Sequence, residues 1–208
     1  MSEMVAELPT DSTLHADEDR ARADIYALLS RLFASAPDSA FLETLHRHAS
    51  ERANDDHALG QAWRVLAGAV AGTDAAAIEE EYTRLFLSIG RPEVMLYGSA
   101  YLTGFLMEEP LVYLRSDLAT LGLDRRLGVG ESEDHFSALC DVMRHLILSR
   151  TDAPGLARQR DFFLQHMAPW IDDFADALES APDAVFYPRA APLLRAFFGV
   201  ERLAFDML

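Results

Sequence analysis

Apolar residues return every three or four positions in one segment of this chain after another, and that rhythm constrains the fold more than any other feature. Ile25, Leu28, Leu29 and Leu32 set it first, from near Glu18, with Arg22, Asp24 and Arg31 between them. Pro37 breaks the run, and Asp38 is placed to cap a second helix carrying Phe41, Leu42 and Leu45. The polar stretch from Glu51 to Asp56 reads as a loop. A third helix holds Leu59, Trp63, Leu66 and Val70 and ends at Gly72. Thr73 or Asp74 caps a fourth, with Ile78, Tyr82, Leu85, Phe86 and Ile89 on its inner face.

Gly90 to Ser99 is irregular: Gly90, Pro92 and Gly98 punctuate it, yet Val94, Met95, Leu96 and Tyr97 are too apolar for a solvated loop. It reads as an ordered loop lying on the core. Helical pattern resumes over 100–121, with Pro110 threatening a break, and Gly122 and Leu127 to Glu131 form a second linker. Ser132 then reads as an N-cap, with Glu133 and Asp134 in the first turn and Phe136, Leu139, Cys140, Met143 and Ile147 as the stripe. A further helix carries Phe162, Phe163, Met167, Trp170, Phe174 and Leu178, with Pro169 inside it as a kink. After a turn region from Pro182 to Pro188, Leu193, Leu194, Phe197 and Phe198 open the last. No segment alternates apolar and polar residues as a strand would. The expected fold is therefore all-α, a single helical bundle over residues 18–208 preceded by a flexible acidic tail over 1–17.

Charge and chemistry narrow the function. The chain has 34 acidic and 18 basic residues in 208, a formal charge of −16, and every basic residue is arginine. That balance argues against binding nucleic acid or an anionic lipid surface and suits a basic peptide. The single cysteine, Cys140, excludes an internal disulfide and a cysteine-rich zinc cluster. No basic n-region with an apolar stretch opens the chain, and no run of 18 apolar residues follows, so the expected setting is cytoplasmic, without membrane insertion. Nucleotide-binding, metalloprotease and nucleophile-elbow motifs are absent, and without lysine neither a Schiff base nor a P-loop can form. His135, His145 and His166 lack the Glu-x-x-His pairs of a di-metal bundle, so no metal or other cofactor is expected. Asp134 and His135, adjacent at a helix start, have two readings. They are either a helix cap and a loop contact, or the edge of a pocket in a small-molecule-binding or hydrolytic protein. Tyr82, Leu85, Phe86, Met95, Leu96, Tyr97, Tyr101, Phe105 and Met107 make an aromatic-rich stretch, either core or the floor of a peptide groove with Glu79, Glu80, Glu81 and Glu93 nearby.

Several of these segments together resemble the TorD/DmsD/NarJ family of molybdoenzyme maturation chaperones. Tyr82-x-x-Leu85-Phe86 is similar to the family's aromatic-x-x-Leu-Phe, and Tyr97-Gly98-Ser99-Ala100-Tyr101 to its Pro-(Tyr/Trp)-Glu-Ser-x-Tyr. Gly122-Leu123, Glu133-Asp134-His135, His166-Met167-x-Pro169-Trp170 with Phe174, and Phe186-Tyr187 continue the resemblance, which covers roughly Glu18 to Phe198. In this chain Leu96 stands for the family proline, Gly98 for its glutamate, and Ser132 or Glu133 for the proline before Asp-His. The resemblance implies a non-catalytic chaperone whose partner is a molybdenum-containing oxidoreductase precursor, bound through its twin-arginine leader or as apo-protein. It also admits a homodimer. On this reading Tyr82, Leu85, Phe86, Tyr97, Ser99, Tyr101, Asp134 and His135 form the peptide-binding surface.

Overall fold

The computed structural model describes residues 11–53, 56–87, 92–124, 130–149 and 153–208. Among them are ten α-helices and one 3-10 turn, and the only β-pairing is an isolated bridge between Tyr97 and His135. Helix α1 (Asp11–Ala34) starts ahead of the apolar pattern that reveals it. Asp38 caps α2 (Ser39–Arg52) as its position implies, its carboxylate accepting the Phe41 N–H at 2.7 Å. Helices α3 (Ala58–Gly72) and α4 (Ala75–Phe86) follow; Asp74 occupies the α4 cap position without a side-chain capping bond. Ile89 and Gly90 of the expected fourth helix and loop, and Leu127 to Val129 of the second linker, lie outside the described residues.

Two expected helices are each divided. The pattern over 100–121 splits into α5 (Gly98–Thr103) and α6 (Glu109–Thr120). The break falls before Pro110, which sits in the first turn of α6, where a missing N–H leaves no bond unmade. The Phe162–Leu178 pattern likewise becomes α8 (Ala153–His166) and α9 (Ile171–Glu179), with Pro169 in the turn between them. Helix α7 (Phe136–Ser149) presents Phe136, Leu139, Cys140, Met143 and Ile147 inward, as its spacing requires. The 3-10 turn (Tyr187–Ala190) leads into α10 (Ala191–Asp206).

An aromatic cluster joins the two halves of the chain. Phe33 of α1 packs edge-on against Phe136 at 5.1 Å and Phe86 at 6.0 Å, and against Phe174 at 5.3 Å. Such edge-to-face pairs add stability beyond the apolar area they remove from water. Burial holds the Cys140 thiol well above its ordinary pKa, which keeps it protonated and unreactive.

Two buried carboxylates fasten distant segments to this core. Glu201 of α10, fully buried, accepts from Arg22 Nε at 2.7 Å, Arg22 Nη2 at 2.9 Å and the Tyr26 hydroxyl at 3.0 Å. Glu81 of α4 reaches across the chain to the backbone ahead of the 3-10 turn. Its oxygens accept N–H bonds from Val185 at 2.7 Å, Phe186 at 3.0 Å and Tyr187 at 2.7 Å. A buried helix start needs its free N–H groups satisfied, and here a side chain 104 or more positions away supplies the acceptor.

Candidate functional site

The starts of α5 and α7 lie side by side. The Gly98 N–H donates to the Asp134 carbonyl at 3.0 Å and the Phe136 N–H to the Leu96 carbonyl at 2.7 Å, which makes the single antiparallel bridge. This joint fixes the side chains of Asp134 and His135. The Asp134 carboxylate, 4 % exposed, accepts from the Ser99 N–H at 3.0 Å, from the Ser99 hydroxyl at 2.5 Å and from the Ser132 hydroxyl. Asp134 thus serves the first turn of α5, not the helix that follows it in sequence.

The cap of α7 is His135. Its carbonyl accepts the Leu139 N–H at 3.1 Å, and its Nδ1 accepts the Ser137 N–H at 3.2 Å and lies 2.7 Å from the Ser137 hydroxyl. Ser132, expected at this position, lies one turn too early. Since a backbone N–H can only donate, Nδ1 is the unprotonated nitrogen of a neutral ring. Burial lowers the His135 pKa, against the opposing charges of Glu131 and Asp134. The Tyr97 ring meets the imidazole edge-on at 5.1 Å, and its hydroxyl donates to Glu131. As a hydrolytic dyad the arrangement is poor. The side chain of Ser132 bonds Asp134 and not His135, Nδ1 of His135 is taken up in capping Ser137, and Asp134 and His135 do not bond each other through their side chains.

A pocket of about 210 Å³ opens beside Asp134, lined also by Ser99, Leu102, Tyr113, Gln165 and His166. His166 lies 2.7 Å from Asp117 through Nε2, and its carbonyl accepts the Trp170 indole N–H at 2.7 Å. Burial lowers the His166 pKa, opposed by the bond to Asp117. The described donors to Asp134 are all neutral, so its wall of the pocket is anionic wherever the carboxyl is ionised. Trp170 also stacks on Tyr101 at 5.5 Å and covers Gly98, where a Cβ would lie 2.9 Å from the indole nitrogen. Among the described residues no group of three or more His, Cys, Asp or Glu side chains is placed to hold a metal ion.

The eight expected site residues therefore separate into two sets. Tyr97, Ser99, Tyr101, Asp134 and His135 do gather at the α5–α7 joint, with Tyr97 and Tyr101 half-buried. Tyr82, Leu85 and Phe86 are at most 5 % exposed and belong to the core. The Tyr82 hydroxyl donates to the Phe33 carbonyl at 3.1 Å, and Phe86 packs on Tyr187 at 4.8 Å. An open apolar floor made of these three is not present, because the aromatic cluster around Phe33 encloses them. Leu102, Tyr113, Leu114 and Gln165 are the lining residues that sequence reasoning passed over. His166 was visible within His166-Met167-x-Pro169-Trp170, but was weighed only as a metal ligand.

The family model of the nitrate reductase delta subunit matches residues 52–176, well over half the chain. The chain belongs to that family. Within it, this chain is a TorD/DmsD/NarJ-like redox enzyme maturation chaperone. The chaperone protein TorD of Vibrio cholerae is 28% identical over 207 residues, covering 90% of this chain and 93% of that protein. TorD of Shewanella loihica is 25% identical over 198 residues, covering 88% and 92%. A redox enzyme maturation protein of Archaeoglobus fulgidus has the same fold, with a TM-score of 0.58 across 97% of this chain and 99% of its own, at 19% identity. Molybdoenzyme maturation is the general role of such a chaperone. No helix among the described residues of this one is long and apolar enough to cross a membrane.

Proposed function

We propose that the chain acts in the cytoplasm on the precursor of a molybdenum-containing oxidoreductase, holding its twin-arginine leader until the cofactor is in place. The observation that carries this reading is the pocket beside Asp134, whose described hydrogen-bond donors are all uncharged. A guanidinium brings the positive charge that this wall lacks, and it pairs with carboxylates in a planar, two-pronged geometry. The formal charge of −16 favours encounter with a basic leader, and the α5–α7 joint holds the carboxylate in place before the ligand arrives.

The test is titration calorimetry with the leader peptide of the molybdoenzyme encoded beside the chaperone, using wild type and Asp134→Asn. Asparagine can keep an oxygen toward Ser99 and turn its amide toward Ser132, whose hydroxyl can accept. The charge is thereby removed while the joint survives. Affinity should fall about tenfold or more, in keeping with the loss of one charge-assisted pair. It should also weaken as salt is raised. Equal affinities would take Asp134 out of the site.

A further inference from the structure

The segment from Leu102 to Tyr113, which joins α5 to α6, turns its apolar side chains outward. Leu102 is 41 % exposed, Phe105 69 %, Leu106 44 %, Met107 74 %, Val112 63 % and Tyr113 53 %. Elsewhere on the described surface, large exposed apolar residues are scattered between Val65 and the C-terminus, and nowhere else do so many fall within twelve positions. Two backbone features turn the chain here. Gly104 ends α5 with φ 81°, and Met107 takes φ 61°, a left-handed conformation disfavoured for a residue with a Cβ. A disfavoured backbone that presents an apolar side chain to water gains nothing inside the monomer, and such features gather at binding sites.

The surroundings say what kind of partner fits. No basic residue occurs from Leu102 to Tyr113, while Glu108 and Glu109 lie within the segment. Nearby Arg115 is paired with Glu133 at 2.9 Å. Leu102 and Tyr113 also line the pocket beside Asp134, so the apolar surface and the anionic pocket are continuous. A ligand that fits both has a cationic side chain for the pocket and, beside it in the same chain, an apolar run.

We infer that the α5–α6 elbow, with Phe105, Met107 and Val112 at its centre, seats the apolar run that follows the arginines of the bound leader. This rests on the leader-binding reading above and divides recognition in two: charge is read at Asp134, apolar length at the elbow. The elbow supplies contacts that salt does not screen, and the pocket sets the register.

Four calorimetric titrations test it. Wild type and the triple variant Phe105→Ser, Met107→Asn, Val112→Gln each meet two synthetic peptides: the leader, and the same leader with its apolar run replaced by serine and asparagine. All three positions are exposed, and asparagine tolerates the backbone at 107, so the variant should melt with wild type. Wild type should prefer the intact leader by at least about tenfold, and the variant should bind both peptides with nearly equal, weaker affinity. If wild type binds the leader and the variant binds it equally well, the elbow is not the seat. If wild type binds neither peptide, the leader-binding reading falls and the elbow proposal with it. A dimer lost in the variant, with leader affinity unchanged, would assign the surface to a second copy of the chain and overturn the proposal.

Discussion

Glu81 and Asp134 are both buried carboxylates that satisfy the start of a helical segment far away in sequence, yet they differ in what lies on their other side. Three backbone N–H groups converge on Glu81, and the aromatic residues Phe186 and Tyr187 are among those it holds. Asp134 holds the first turn of α5 in the same manner, but it also forms part of a pocket wall. Burial and hydrogen bonding alone do not tell the two apart, since Glu81 is 8 % exposed and Asp134 4 %. The pocket beside Asp134 does, because there a partner has room to contribute the opposite charge.

The most severe way to probe this contrast is Glu81→Ala. It would leave the buried N–H groups of Phe186 and Tyr187 without their acceptor, while that of the exposed Val185 could turn to water, a loss of roughly 2 to 4 kcal/mol of stability. Chemical denaturation would register it as a lower midpoint, and the leader peptide at saturation should recover only what mass action gives. Next in size is Glu201→Gln. Arg22 would keep Asp19 at 2.9 Å but meet a neutral amide in place of its buried carboxylate, and Tyr26 would keep only one neutral acceptor, at a cost of about 2 to 3 kcal/mol. A midpoint unchanged by that substitution would mean that the bond to Asp19 alone holds Arg22.

Asp134→Asn should lower stability by only about 1 kcal/mol, because an amide can replace the bonds to Ser99 and Ser132. Its larger effect should be on binding, the reverse of Glu81→Ala. If the two variants lost stability equally, the two carboxylates would be alike and the comparison would fail. The smallest effect concerns pH. His135 and His166 both have pKa values lowered in the folded state by burial. Between the folded and unfolded values, the unfolded chain binds more protons, so stability rises with pH across that window. The contribution is complete above the unfolded pKa of about 6.5 and is lost as pH falls toward the folded values. His135→Asn keeps a capping acceptor but does not titrate, so its melting temperature should decline less on acidification from pH 7 to 5. An identical decline would assign the pH dependence elsewhere.

Local features of this fold were legible in the sequence, and distant ones were not. The apolar rhythm locates the helices, and Asp38 announces its cap because its partner is three residues away. Glu81 reads as one of the carboxylates beside a possible groove, since nothing near it in sequence reveals Val185 to Tyr187. As a cap, Asp134 reads as belonging to the helix that follows it, because its link to Ser99 spans 35 positions. Tyr82 and Phe86 leave core and groove floor both open, because periodicity shows that a face is apolar without showing what covers it. Phe105 and Met107 stand out in the same apolar stretch, but the elbow that turns them outward does not. Pro110 drew attention to itself as the interruption, whereas the chain turns at Gly104 and Met107, and a methionine with positive φ has no signature in sequence.

Trp170 fills the space that a side chain at position 98 would need. The indole is pinned by its bond to the His166 carbonyl at 2.7 Å and by the Tyr101 ring stacked on it, so it has little freedom to yield to a new Cβ at position 98. In this chain the first turn of α5 is therefore built around a missing side chain, and any residue larger than glycine there has to move the ring first.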